Sequence, residues 1–222
     1  MRISALATDY DGTIARDGRV SPSTLAALYR WKASERRLIL VTGRVLPDLH
    51  QVFPGYGLFD GIVAENGAVL HLPDGSLDQV LGSAPPPALV ASWKRARIPF
   101  FTGSCIVATK AEYLAEVQPL VEANAPSWQI ILNKDSLMVL PSGIDKGNGL
   151  RVMIELLDVP LAEVAACGDA ENDISMLTAV GLGVAVANAL PSVKAAAKRV
   201  TLGADGDGVA ELIDLILTDS TS

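Results

Sequence analysis

Hydrophobic positions along the chain fall into two textures. Residues 3–8 form a short, nearly unbroken apolar run, and so do 38–41, 61–64, 164–167 and 182–186. Runs of that length without polar alternation are expected of strands buried on both faces. Longer segments lie between them. One follows Ser21-Pro22 to about residue 35, the serine suited to N-capping and the proline to the first turn. Others cover 46–53, the stretch after Lys146, 174–179, 191–197 and 209–217. Strand–helix–strand order implies right-handed crossovers, so this pattern predicts an α/β fold: a parallel sheet with helices on both faces. Residues 218–222 read as a frayed tail.

Between about 81 and 143 the texture changes. Pro85-Pro86-Pro87 opens a helical stretch through Arg97, and 104–109 reads as a strand and 111–123 as a helix. Two further strands, 128–132 and 137–140, are joined by Asn133-Lys134-Asp135, a hairpin signal. The expected organisation is therefore a core of residues 1–80 and 144–222, interrupted by a small α+β module at 81–143. Trp93 and Trp128 are assigned to packing inside that module, and Met138, Met153 and Met176 to core filling.

Composition narrows the classes. A chain of 222 residues that is 50% hydrophobic has ample material for a buried core. Its net charge of -7 argues against nucleic acid as a partner, since phosphate-backbone binders need a basic stripe. An anionic ligand would have to be drawn by a local cationic site. The first apolar run is interrupted at Asp9, so neither a signal peptide nor a membrane span is expected there. Two cysteines, Cys105 and Cys167, in apolar surroundings are no disulfide framework. The expected setting is the cytoplasm.

Four polar clusters fall where predicted parallel strands end, the edge at which open α/β sheets bind ligands. They are Asp9-Tyr10-Asp11-Gly12-Thr13, Thr42-Gly43-Arg44, Lys146 at the head of a helix, and Gly168-Asp169-Ala170-Glu171-Asn172-Asp173. Taken singly, an Asp-x-Asp pair is often a turn, Thr-Gly can merely cap a helix, and a lysine is usually solvated. Together they gather up to four carboxylates, Asp9, Asp11, Asp169 and Asp173, at one sheet edge. Two like charges about 4 Å apart repel by roughly 4 kcal/mol at an effective dielectric of 20. Such a cluster calls for a cation, and oxygen-only ligands select a hard one, magnesium above all beside a phosphate. His50 and His71 have no partners at ligand spacing and are not assigned to a metal.

The segments ATDYDGT, VTGR, AENGA, DKGNGL and GDAENDISML, followed by GVAVANA and GDGVAELI, resemble the haloacid dehalogenase superfamily and its Cof-like phosphatase branch. They stand in the family's order and span nearly the whole chain outside the insert. The resemblance implies a Rossmann-like core and a magnesium-dependent phosphatase acting on a small phosphorylated metabolite, a sugar phosphate or a phosphoglycolate-like ester. By it, Asp9 is the nucleophile that forms an aspartyl-phosphate and Asp11 the general acid and then base. Thr42, Gly43 and Lys146 bind the phosphoryl group, and Asn172 orients groups nearby. Magnesium is held by Asp9, the main-chain carbonyl of Asp11, Asp169 and Asp173. A carboxylate at position 11, where the superfamily's transport ATPases carry threonine, favours hydrolysis or mutase chemistry. An insert between Thr42 and Lys146 resembles the second cap class, a small sheet with two helices over the site. The roles of Arg44 and Asn66 stay open, as does oligomeric state. Two alternatives stand beside this reading: a phosphomutase of the same superfamily, and a non-enzymatic receiver-type phosphoacceptor.

Overall fold

The computed structural model describes residues 2–219. Its main sheet has eight strands in the order β14-β13-β12-β1-β4-β5-β6-β7. β1 (Ala5–Thr8) lies at the middle and is fully buried. It pairs in parallel with β4 (Arg37–Val41) on one side and β12 (Val164–Gly168) on the other. From β4 the parallel order continues to β5 (Gly61–Ala64), and from β12 to β13 (Leu182–Ala185) and β14 (Arg199–Val200). The chain thus winds outward in both directions from the β1/β12 seam. That seam is the topological switch point, where a crevice opens at the carboxyl ends of the strands.

Two antiparallel hairpins were not foreseen. β2 (Ala15–Arg16) pairs with β3 (Arg19–Val20) directly after the first acidic cluster. β6 (Val69–Leu72) and β7 (Leu77–Val80) extend the main sheet beyond β5. β7 reads Leu-Asp-Gln-Val and is largely exposed, as an edge strand is, so it lacks the apolar run that betrays the central strands.

α1 (Pro22–Ala33) begins as expected, the Ser21 hydroxyl accepting the Thr24 N–H at 3.1 Å. It stops at Ala33 because Glu35 takes a left-handed conformation. α2 (Leu46–Val52) links β4 to β5. α8 (Asp205–Asp219) starts four residues before the expected 209. Gly206 and Gly208 discourage a helix by propensity, but α8 packs against α1, and a Cβ on Gly206 would lie 2.0 Å from Thr24 Oγ1. Close approach demands the glycine there. Thr218 and Asp219, expected in a frayed tail, are helical; 220–222 lie outside the described residues.

The segment between β7 and the head of the next core helix holds α3 (Pro87–Ala96), β8 (Phe101–Thr102), β9 (Val107–Lys110), α4 (Leu114–Asn124), β10 (Trp128–Asn133) and β11 (Ser136–Pro141). Its four strands form an antiparallel sheet ordered β10-β11-β9-β8. Alternation along these strands serves two cores. Val107, Leu137 and Val139 pack with Trp93 and Trp128 among α3 and α4. Ala108, Met138 and Leu140, with Cys105 and Ile106, belong to the apolar cluster of the main sheet. The small sheet is therefore held to the rest of the molecule by shared packing as well as by its two chain connections. Cys105 and Cys167 are both buried free thiols.

The remaining elements are α5 (Lys146–Leu156), α6 (Ile174–Ala179) and α7 (Pro191–Ala196). α5 packs on α6. At the opposite end of the sheet from the switch point, Asp60 accepts the Leu38 N–H at 2.8 Å and pairs with Lys32 and Arg37. Burial alone would raise its pKa; Lys32, the Leu38 amide and Arg37 outweigh that and hold it below the ordinary 3.8. This contribution is complete above pH 3.8 and is lost as the pH falls through the lower folded value. Asp60→Ala is expected to cost about 1–3 kcal/mol at neutral pH, read as a lower thermal midpoint, with the acidic clusters at the other edge of the sheet undisturbed.

Candidate active site

Register delivers the first pair of acids. Thr8 stands opposite Cys167 across the β1/β12 seam, so Asp9 leaves the sheet level with Gly168 and Asp169 follows one residue further on, at the same edge. The Asp9 N–H donates to Cys167 O at 3.0 Å, and the Asp9 carboxylate is buried. The chain then reverses tightly: Thr13, Ile14 and Ala15 N–H groups all converge on Tyr10 O. Gly12 has φ +76°, and a Cβ there would stand 2.3 Å from Asp169 Oδ2. Both the backbone hand and the close approach restrict this position to glycine.

Lys146 is the first residue of α5, after Asp145, whose carboxylate caps the helix by accepting the Asn148 N–H at 2.9 Å. Its side chain is wholly buried, and Nζ donates to Asp9 Oδ1 at 2.5 Å and Asp173 Oδ1 at 2.6 Å. Burial alone would lower the ammonium's pKa, but Asp173 and Asp9 together hold it above the ordinary lysine value. The same burial, with Asp173 and Asp169 adding like charge, pushes the Asp9 carboxyl well above the usual carboxylate range despite Lys146. Asp173 is fixed on its other oxygen, which accepts the Asp169 and Ala170 N–H groups at 2.8 and 3.0 Å. Asp9, Asp169 and Asp173 each offer a carboxylate oxygen within 4.8 Å of one another. This compact, oxygen-only donor set fits a hard divalent ion.

Thr42 follows β4. Its Oγ1 accepts the Arg44 N–H at 3.1 Å, which leaves the hydroxyl hydrogen free to donate elsewhere. Asn172 donates through Nδ2 to Asn66 Oδ1 at 2.9 Å; Asn66 Nδ2 and Asn172 Oδ1 are buried without partners. Asn66 sits in a left-handed turn at φ 57°.

The Asp11 side chain takes a different direction from the other acids. It lies outside the three-carboxylate group, 44% exposed, in the fork of Arg44 (Nε to Oδ2 2.7 Å, Nη2 to Oδ1 2.8 Å). Arg44 also donates to Asp48 at 2.5 Å and lies over the Tyr10 ring. Its place, open from sequence, is to orient Asp11.

Three contributors had no role in the sequence reading. Thr13 Oγ1 reaches Asp169 at 3.4 Å. Glu65, buried and left-handed, accepts the N–H groups of Ser104 and Cys105 at 2.9 Å each, tying the small sheet's approach to the core. Lys134, at the β10–β11 turn, reaches across to Asp169 through Nζ, while its N–H donates to Glu171 at 3.0 Å. Only the hairpin signal was legible there. A cavity of about 870 Å³ lies between these parts, walled on one side by Asp9, Asp11 and Arg44 and on the other by Phe101, Lys134 and Met138.

Topology and buried charge define an α/β protein with a cluster of buried carboxylates at the switch point of a doubly wound sheet. Residues 6–82 and 95–213 match the model of the haloacid dehalogenase-like hydrolases, and the chain belongs to that family. It is a phosphatase. A phosphoglycolate phosphatase of Methanosarcina acetivorans is 28% identical over 97% of both chains, and one of Pyrobaculum aerophilum 32% identical over 98% of this chain and 97% of the relative. Among solved structures, a subclass IIB sugar phosphatase of the superfamily superposes with a TM-score of 0.80 at 24% identity, covering 95% of this chain and 98% of that one. A haloacid dehalogenase-like hydrolase from Bacteroides thetaiotaomicron gives 0.83 at 23% identity, covering 97% and 100%. Among the described residues, no helix is long and apolar enough to cross a membrane.

Proposed function

We propose that this phosphatase hydrolyses a small phosphomonoester of the phosphoglycolate kind, with magnesium, through an aspartyl-phosphate on Asp9. The observation that carries the mechanism is Lys146: a wholly buried ammonium bridging Asp9 and Asp173. Burying three charges is costly, and hydrophobic replacements of similar volume are often no less stable. Chemistry on an anionic substrate gives the arrangement its reason.

Asp9, Asp169 and Asp173, with the Asp11 carbonyl, are the residues to hold magnesium. Bound there, the ion offsets the repulsion between a carboxylate nucleophile and a phosphate dianion. The chain's own groups do the rest. An Asp9 oxygen attacks phosphorus, the bond from phosphorus to the ester oxygen breaks, and Asp11 donates a proton to the departing alkoxide. Asp11, now ionised, takes a proton from water as that water attacks the phosphoenzyme, releasing phosphate and regenerating Asp9. Lys146, the Thr42 hydroxyl and the Gly43 backbone hold the phosphoryl oxygens, with Asn172 fixed beside them by Asn66. Asp11 must exchange part of the Arg44 fork for the leaving group, and its partial exposure gives it room. Residues 81–143 act as the cap that excludes water and contacts the leaving group, over a core of 1–80 and 144–222. The phosphoglycolate class is supported by the names of the relatives, which cover nearly the full chain.

A panel of phosphomonoesters, scored for release of inorganic phosphate, tests the reading. Magnesium-dependent turnover, strongest on phosphoglycolate, is expected. Chelation should abolish it, magnesium should restore it, and zinc should substitute poorly in an oxygen-only site. Turnover unaffected by exhaustive chelation overturns the metal assignment.

A further inference from the structure

We infer that Lys134 is the specificity-determining residue of the site, recognising a carboxylate on the leaving group of the substrate. The inference rests on the function proposed above and concerns how that substrate is told from a neutral phosphate ester. Three cations line the cavity: Arg16, Arg44 and Lys134. Arg16 is 64% exposed at the rim and paired with Asp205 at 2.7 Å. Arg44 spends three donors on Asp11 and Asp48. Lys134 alone enters from the small antiparallel sheet, on the wall that faces a leaving group when the phosphoryl end is held by the core.

Its anchorage suits the role. Lys134 adopts a left-handed conformation at the turn, φ 50°, and its N–H is held by Glu171, so the backbone is fixed independently of the ammonium. The side chain is 38% exposed and meets a single carboxylate, that of Asp169. The ammonium comes so near the nucleophile loop that a Cβ on Gly12 would stand 3.1 Å from Nζ. Asp169 belongs to the oxygen set that fits a divalent ion. Once a divalent ion neutralises Asp169, the ammonium has a second anion within reach of its flexible stem: one carried by the leaving group, a bond or two beyond the ester oxygen. A short phosphorylated hydroxy acid meets that description; a phosphorylated polyol does not.

The test uses matched ligands that differ only in the anion. In the presence of magnesium, calorimetric binding of 3-phosphonopropionate and of 3-hydroxypropylphosphonate compares a carboxylate with a hydroxymethyl group, without turnover. The wild-type protein is expected to prefer the carboxylate about 10- to 100-fold, the range of one charge-assisted hydrogen bond. Lys134→Met, which keeps the N–H bond to Glu171, should lose that preference, and Lys134→Arg should keep part of it. Hydrolysis of phosphoglycolate and 2-hydroxyethyl phosphate should show the same ratio in kcat/KM. Equal binding of both phosphonates by the wild type overturns the inference, as does a Lys134→Met protein that weakens both equally or retains the preference. If the preference holds but neither ester is hydrolysed, the proposed function fails and the carboxylate site stands. If magnesium-dependent hydrolysis occurs without preference, the reverse is true.

Discussion

Asp9→Asn is expected to lower turnover by about 10⁴-fold or more, the scale seen when a covalent nucleophile is removed, while leaving the protein folded. The substitution is nearly isosteric. The Asp9 N–H bond to Cys167 O is a backbone contact and survives. The amide oxygen can still accept from Lys146, which keeps its second bond to Asp173. What is lost is the anionic oxygen that forms the acyl phosphate. The measurement is phosphate release by purified variant beside a thermal melt. Appreciable turnover with an unchanged melt would remove Asp9 from the nucleophile role.

Lys146→Met should damage stability and catalysis together. In the native protein one ammonium pairs with two buried carboxyl groups, those of Asp9 and Asp173. Removing one partner from a buried ionic group leaves charge without compensation and costs about 3–5 kcal/mol. The phosphoryl group also loses its buried cation, with an expected fall in kcat/KM of about 10²–10³-fold, the loss typical when one such stabilising donor is removed. Chemical denaturation and kinetics on the same preparation separate the two effects. A variant as stable as the parent would mean that the two carboxylates do not depend on this lysine. The Asp60→Ala protein is the control, since it weakens an ion-pair cluster at the far end of the sheet.

Family membership sets the receiver-type alternative aside. The mutase alternative differs from a phosphatase in what accepts the phosphoryl group, and a requirement for a bisphosphorylated sugar in the assay would reveal it.

The central strands were legible because burial on both faces leaves a mark in the chain itself: β1, β4, β5 and β12 are short runs with hardly a polar residue. The acids were legible for a related reason. A parallel strand ends where its apolar run ends, so Asp9 and Asp169 announce by position that they lie at the carboxyl edge. Local signals also placed the Ser21 N-cap and Lys146 at a helix head.

Other features depend on contacts between residues far apart, and no local pattern carries those. The start of α8 was hidden because glycine propensity argues against a helix, whereas packing on Thr24 requires glycine. The insert's strands looked merely apolar, and only their assembly divided alternate residues between two cores. Asp11 and Asp9, two residues apart, read as one acidic pair. The fold separates them, giving Asp11 to Arg44 and Asp9 to Lys146. Lys134 is the extreme case: as sequence it is the middle of a turn, 35 residues from Asp169, and its ammonium reaches that carboxylate only because the small sheet closes over the switch point. Sequence by itself determined the sheet's central strands and the acids at their ends, because both follow from nearest-neighbour chemistry. Tertiary structure decided which charge faces which, because electrostatic partners are chosen by distance in space.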